Sequence, residues 1–258
     1  MRLRILNHGP STGVNNMAID EALYQSIDLQ DPVLTLRVYR FEEPTVTFGY
    51  GQQASKAVNT ASAARNQIPY IRRLTGGRAL LHQHELTYSF SAPTINRSVK
   101  KTYRMISDVI GNALSKLGVP IDSTPQNVSF KAPEHLPCLS VSTGHEITIN
   151  GKKLVASAMR FSRTSFLQHG SILLRIERPL WEDILPLAPS DPFPCIGLHE
   201  VTPSHLSELE LVDSLSSEFA SMLRERPSFE ELTLQECRRI KTLKSKYASG
   251  DWNYRKLQ

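Results

Sequence analysis

Cysteine is scarce in these 258 residues: Cys138, Cys195 and Cys237 lie far apart, and no two form a Cys-x-x-Cys pair. That spacing argues against a zinc site and against a disulfide framework, and it suits a reducing compartment. Long apolar runs are also missing, and the opening Met1-Arg-Leu-Arg-Ile-Leu-Asn-His has no signal-peptide core, so the expectation is a cytoplasmic protein without a membrane partner. Nor is there a block of one charge. The net +5 comes from basic residues scattered along the chain, which gives a mild preference for acidic partners and no arm for nucleic acid. Repeats and low-complexity tracts are absent. What the chain does have is 40% hydrophobic residues, enough for one large core, alone or with a small appendage.

Periodicity supplies the coarse organisation. Asn15 and Asn16 suit a helix cap ahead of Ile19, Leu23 and Ile27, so an amphipathic helix is expected to open the fold. Alternation from Leu34 to Phe41, then Thr45 to Gly49 beyond Pro44, predicts two strands that pair with each other. A polar helix over Asn59 to Asn66, an extended Ile68 to Arg73 and a strand from Leu86 to Phe90 follow. Tyr103, Ile106, Ile110, Ala113 and Leu117 give the plainest helix, stopped by Gly118 and Pro120. Asn150-Gly151 between alternating runs marks a hairpin whose second strand extends towards Phe161, and Phe166 to Ile176 is another strand. Proline-rich 186–194 leads into a helical C-terminal part. Strands mixed with helices, without regular strand–helix repetition, predict an α+β fold with a mixed β-sheet flanked by helices. The expected division is a catalytic domain over 1–200 and a helical extension over 201–258 packed on it.

Three segments are candidates for chemistry, the third made of the Lys153 strand together with His169-Gly170. Thr75-Gly76-Gly77-Arg78 lies between strands, where paired glycines either let a backbone approach a ligand or simply make a turn. Cys138 sits in a loop before the hairpin, where it is either an exposed, reactive thiol or a small buried hydrophobe. Lys153, in a strand of small apolar residues, points into a site or out to solvent. His169-Gly170 reads as a polar wall with an open backbone, or as a core histidine before a turn. Arg72, Arg73 and Arg78 read equally as contacts for an acidic partner and as members of internal ion pairs.

Taken in order, Asn16-Met-Ala-Ile-Asp-Glu-Ala-Leu, Pro44-Thr-Val-Thr-Phe-Gly-Tyr, Arg72 through Ala79, His82-x-x-Glu-Leu-Thr-Tyr, Gly151-Lys-Lys, Leu167-Gln-His-Gly-Ser and Lys246-Tyr-Ala-Ser-Gly-Asp-Trp-Asn resemble the lipoate-protein ligase and octanoyltransferase family. This family shares its fold with the catalytic domain of biotin protein ligases. Within it the pattern is most similar to the LipM-type octanoyltransferases, whose cysteine shortly before the hairpin is matched by Cys138. The chain departs from the pattern in having Val155-Ala-Ser-Ala-Met where Gly-Ser-Ala-Gln is usual.

The resemblance implies that Cys138 carries the acyl group and that Lys153 is the lysine beside it, favouring thiolate and steadying the oxyanion. It also implies that Arg73, Thr75, Gly76, Gly77, Arg78, Ala79, His82, Ala156, Ser157, Ala158, His169, Gly170, Ser171 and Ile172 line the substrate site. Octanoyl-acyl carrier protein would be the donor and a lipoyl-domain protein, such as the glycine-cleavage H protein, the acceptor. No cofactor or metal is implied. The alternatives are an ATP-dependent lipoate or octanoate ligase, which would require ATP and magnesium, and a non-catalytic binder of acyl groups or lipoyl domains.

Overall fold

The computed structural model describes residues 1–94, 98–123, 146–186, 193–202 and 206–254. A strand opens it, β1 (Arg2–Ser11), ahead of helix α1 (Gly13–Gln25), so the expected leading helix comes second. The helix cap is Thr12, whose side chain accepts from the Asn15 amide, one turn earlier than the asparagines suggested. Next come β2 (Val33–Phe41), β3 (Thr45–Phe48), the short helices α2 (Ala54–Ala57) and α3 (Thr60–Arg65), β4 (Tyr70–Arg72), β5 (Leu80–His82) and β6 (Glu85–Pro93). Helix α4 (Val99–Lys116) precedes the hairpin β7 (Ile147–Ile149) and β8 (Lys152–Phe161), then β9 (Ser165–Leu173) and α5 (Arg178–Ile184). The chain ends with α6 (Glu208–Leu223), β10 (Pro227–Phe229), α7 (Leu234–Ala248) and α8 (Gly250–Asn253).

Seven strands form one mixed sheet in the order β10-β1-β2-β6-β9-β8-β7, and three form a second in the order β4-β3-β5. The pairing of β2 with β3 does not occur. The Glu43-Pro44 corner sends the chain out of the large sheet, where β2 instead pairs antiparallel with β6.

Strand alternation divides the large sheet into two unlike faces. One is aliphatic and aromatic: Ile5, Leu36, Val38, Leu86, Tyr88, Phe90, Val155 and Ile172 are buried against Ile106, Ile110 and Leu114 of α4 and Leu211, Leu215 and Phe219 of α6. The other is polar at its centre. Register there aligns Tyr39, Thr87, Ser171 and Ala156 in one row and Arg37, Ser89, His169 and Ala158 in the next. Helix α1 covers this face, packed on β6 and β9.

The hairpin turn meets its expectation. Asn150 (φ 51°) and Gly151 (φ 74°) adopt the left-handed pair that a two-residue connection requires. Asp122 secures it by accepting from both of their amides and from the Thr148 hydroxyl.

Candidate active site

A polar centre beneath an apolar sheet face needs compensation, since an unpaired buried charge costs several kcal/mol. Here Asp20 on α1 provides it. Its Oδ1 accepts from Arg37 Nη1 at 2.8 Å and Ser89 Oγ at 2.8 Å, and its Oδ2 accepts from Tyr39 at 2.8 Å and His169 Nδ1 at 3.0 Å. Burial pushes the Asp20 carboxyl up, but the bond from His169, the charge of Arg37 and the Ser89 hydroxyl more than offset this and hold it below the usual carboxylate range. Burial likewise pushes the His169 imidazole down, against the pull of Asp20. Burial and the neighbouring Asp20 charge raise Tyr39 well above the usual phenol range.

Above this network lies a narrow cleft whose cavity volume is about 20 Å³, room for roughly one water molecule. The large sheet contributes Ala156, Ser157, Ala158, His169, Gly170 and Ser171; the small sheet and its loop contribute Arg73, Arg78, Leu80 and His82. Met17, Tyr39, Thr47 and Thr87 also border it; none was among the predicted site residues, although Met17, Thr47 and Thr87 lie within the segments that carry the resemblance. For Tyr39 and Thr87 the signal was the alternation itself, which sets polar Arg37, Tyr39, Thr87 and Ser89 on one face of strands whose other face is apolar.

Of the predicted substrate-site positions, Thr75, Gly76, Gly77, Ala79 and Ile172 are not in the lining. Thr75 is buried and bonds His169 Nε2 at 2.7 Å. Gly76 offers its carbonyl to Arg73 at 2.8 Å, and Gly77 (φ 78°) lies so near Gly49 that a Cβ there would meet the Gly77 carbonyl oxygen at 1.9 Å. Ala79 is buried in the small-sheet core. Ile172 belongs to the aliphatic core on the opposite face of the sheet. His82 bonds Thr47 at 2.8 Å and stacks on Phe41 with ring centroids 4.0 Å apart. A Cβ on Gly170 would reach the Ala156 carbonyl oxygen at 2.6 Å and the Tyr88 ring at 2.9 Å, so the close packing of β6, β8 and β9 requires glycine there.

Lys153 is 4% exposed and its Nζ lies 2.7 Å from Glu146 Oε2. The solvent reading of this lysine is therefore excluded. Its main chain pairs with the segment 194–196, through bonds from Lys153 N to Pro194 O and from Ile196 N to Lys153 O. Cys138 falls outside the described residues. Cys195 is buried and Cys237 exposed.

Arg72 and Arg73 do not meet the docking expectation. Arg72 and Arg73 are buried, which removes them as contacts for a docking protein. Their bonds go chiefly to backbone carbonyls: Arg72 reaches Tyr50, Trp252 and Asn253, and Arg73 reaches Thr47, Gly76 and Arg78.

Comparison with known proteins agrees with this architecture. The octanoyltransferase LipM of Kyrpidia tusciae is 33% identical over 98% of this chain and 98% of its own length, and that of Symbiobacterium thermophilum is 32% identical with the same coverage of both. Among solved structures, a lipoate-protein ligase A bound with ATP superposes with a TM-score of 0.86 at 24% identity, covering 98% of this chain and 99% of the other. A bipartite lipoate protein ligase from Thermoplasma acidophilum gives 0.80 at 23% identity, covering 100% and 99%. Residues 13–220 match the model of the lipoyl protein ligase A/B catalytic domain, and the chain belongs to that family.

Proposed function

We propose that this chain transfers octanoyl from octanoyl-acyl carrier protein, through a thioester on Cys138, to a lysine of a lipoyl-domain protein, with the glycine-cleavage H protein as a first acceptor and the cytoplasm as its place of work. The observation that carries the reading is the near full-length likeness to octanoyltransferases named LipM. The chemistry of the lining is compatible with it: small Ala156 and Ala158 on β8 stand among polar Thr87, His169 and Ser171. Burial of an acyl chain there favours binding by about 0.8 kcal/mol per methylene.

In this reading the Cys138 thiolate attacks the donor thioester carbonyl and the carrier thiolate departs. The acceptor amine then attacks the new thioester, the amide forms, and the amine's proton passes to the restored Cys138 sulfur. Exchange between thioesters needs no activation, and the amide is the more stable product, so neither nucleotide nor magnesium is required. Lys153 presents its ammonium to the developing oxyanion, and Glu146 fixes where that ammonium sits.

The test is intact-mass analysis after incubation with octanoyl-carrier protein and no nucleotide. Wild type gains one octanoyl mass that hydroxylamine removes, and Cys138→Ala gains none. ATP-dependent acylation of a lipoyl domain by Cys138→Ala would replace this reading with the ligase, and tight binding without any transfer would replace it with the non-catalytic binder.

A further inference from the structure

We propose that Arg73 is the positioning centre of the cleft, and that two chains of matching composition, Asp20–His169–Thr75 and Glu85–His82–Thr47, converge on its guanidinium to fix the Thr75–Ala79 loop and both imidazoles.

Hydrogen-bond bookkeeping carries the inference. A guanidinium only donates. Arg73 Nε reaches Thr75 Oγ1 at 3.1 Å, and Nη1 reaches Thr47 Oγ1 at 3.1 Å and the Thr47 carbonyl at 3.0 Å. Each threonine oxygen thus accepts from Arg73, and among the described residues the acceptor that meets its own proton is an imidazole Nε2: His169 at 2.7 Å for Thr75, His82 at 2.8 Å for Thr47. With Nε2 accepting in both rings, the ring proton sits on Nδ1. There it meets Asp20 Oδ2 at 3.0 Å from His169, and from His82 it meets Ser171 Oγ at 3.3 Å, with Glu85 Oε1 in ion-pair range at 3.3 Å. The two imidazoles come from different sheets, yet both chains run carboxylate, imidazole, hydroxyl, guanidinium in the same sense.

The remaining nitrogen of Arg73 closes the loop. Its Nη2 donates to the carbonyls of Gly76 at 2.8 Å and Arg78 at 2.7 Å, while the Thr75 carbonyl accepts from the Tyr50 amide at 2.9 Å. Arg73 therefore holds three sides of one loop, and both histidines are oriented through it. Lysine cannot replace this, because an ammonium offers its donors from a single point where the guanidinium spreads five over a rigid fork. The assignment makes Arg73 a positioning residue whose loss misplaces Arg78, Leu80, His82 and His169 together.

The kinetic arm of the test rests on the transferase reading, and the spectroscopic arm does not. In wild type carrying 15N-labelled histidine, both rings show the Nδ1–H neutral pattern near neutral pH. Thr75→Val disturbs the signature of His169 and Thr47→Val that of His82, each leaving the other ring unchanged. An Nε2–H tautomer or a charged ring at either position overturns the proposal. In octanoyl loading, Arg73→Lys lowers kcat roughly 10- to 100-fold and leaves KM for the carrier within about twofold; a raised KM with kcat intact makes Arg73 a substrate ligand and also overturns it. Should Arg73→Lys fail to fold, Thr75→Val against Thr75→Ser makes the same split, with serine restoring the rate. If wild type loads no octanoyl at all, the transferase reading falls and the imidazole spectra still decide the two chains.

Discussion

His8 shows at a single residue how the polar face constrains protonation. Its Nδ1 accepts from Arg37 Nε at 2.9 Å, so a protonated ring would turn a donor towards a donor beside a fixed cation. Burial first and the Arg37 charge second lower it from 6.5 to about 4. The unfolded chain takes up this proton near 6.5 and the folded chain only near 4, so between those values the unfolded state binds more protons and acidification favours unfolding. The stability associated with neutral His8 is complete above 6.5 and is lost as pH falls through that window. His169, also lowered, adds a slope of the same sign, whereas Asp20, held below the usual carboxylate range, contributes only at more acid pH. Thermal melts from pH 7.5 to 4 are expected to show Tm falling, and His8→Asn, whose amide oxygen can take the Arg37 bond, to flatten part of that fall. Equal slopes in the two proteins would show that His8 does not titrate in this way. None of this was readable beforehand, since the sequence shows His8 and Arg37 only as two polar residues far apart in the chain, and nothing in it records that they meet on one face of a sheet.

Among the elements, the β7–β8 hairpin decides what Lys153 can face. Plain alternation back from Ala156, on the cleft face, would put Leu154 on that face and Lys153 on the aliphatic one. The register shifts instead: Val155 pairs with Ile147, Lys153 with Thr148 and Lys152 with Ile149, so Leu154 is an extra residue, a β-bulge. The bulge turns Leu154 and Val155 both into the aliphatic core and returns Lys153 to the side of Ala156. Leu154→Ala is therefore expected to cost about 2–5 kcal/mol in denaturant unfolding, as for a fully buried core leucine. A cost below about 1 kcal/mol would place Leu154 at the cleft and overturn the bulge argument. The hairpin itself was legible because Asn150-Gly151 is a local signal, and α3 and α4 were legible through Asn59 at one cap and the helical spacing of Ile106, Ile110 and Ala113. β1 was not, because Gly9 and Pro10 interrupt it and its inward Arg4 reads as surface charge until paired with Glu236 at 2.6 Å. The bulge was not legible either, since it follows from which strand lies opposite.

For the whole molecule, the question is what the C-terminal residues contribute to a cleft they do not line. Arg72 and Arg73 are neighbours, and the alternation of the chain sends them apart: Arg73 to the glycine loop, Arg72 to α8. The Arg72 amide donates to Asn253 Oδ1 at 2.8 Å, its Nε to the Trp252 carbonyl at 2.9 Å and its Nη1 to the Tyr50 carbonyl at 2.7 Å, while Trp252 Nε1 donates back to the Arg72 carbonyl at 2.7 Å. The Trp252 ring meets Tyr50 and Tyr247 edge-on, with Lys246 Nζ 3.8 Å above it. Lys246 and Tyr247 in turn bond Glu21, the residue after Asp20 on α1. The end of the chain thus ties together the two elements, α1 and β4, that carry Asp20 and lead into Arg73. Trp252→Ala removes the indole bond and the ring contacts at once, and is expected to cost about 2–4 kcal/mol of stability. Trp252→Phe keeps much of the ring packing without the bond and should fall between. Because Arg73 follows directly from the strand end that Trp252 holds, octanoyl loading should slow in the same order, with Trp252→Ala slower than Trp252→Phe and both slower than wild type under conditions where all three remain folded. If loading is unchanged in a folded but destabilised Trp252→Ala, the C-terminal helices act on stability alone, and the orientation of Arg73 is set within the small sheet and its loop.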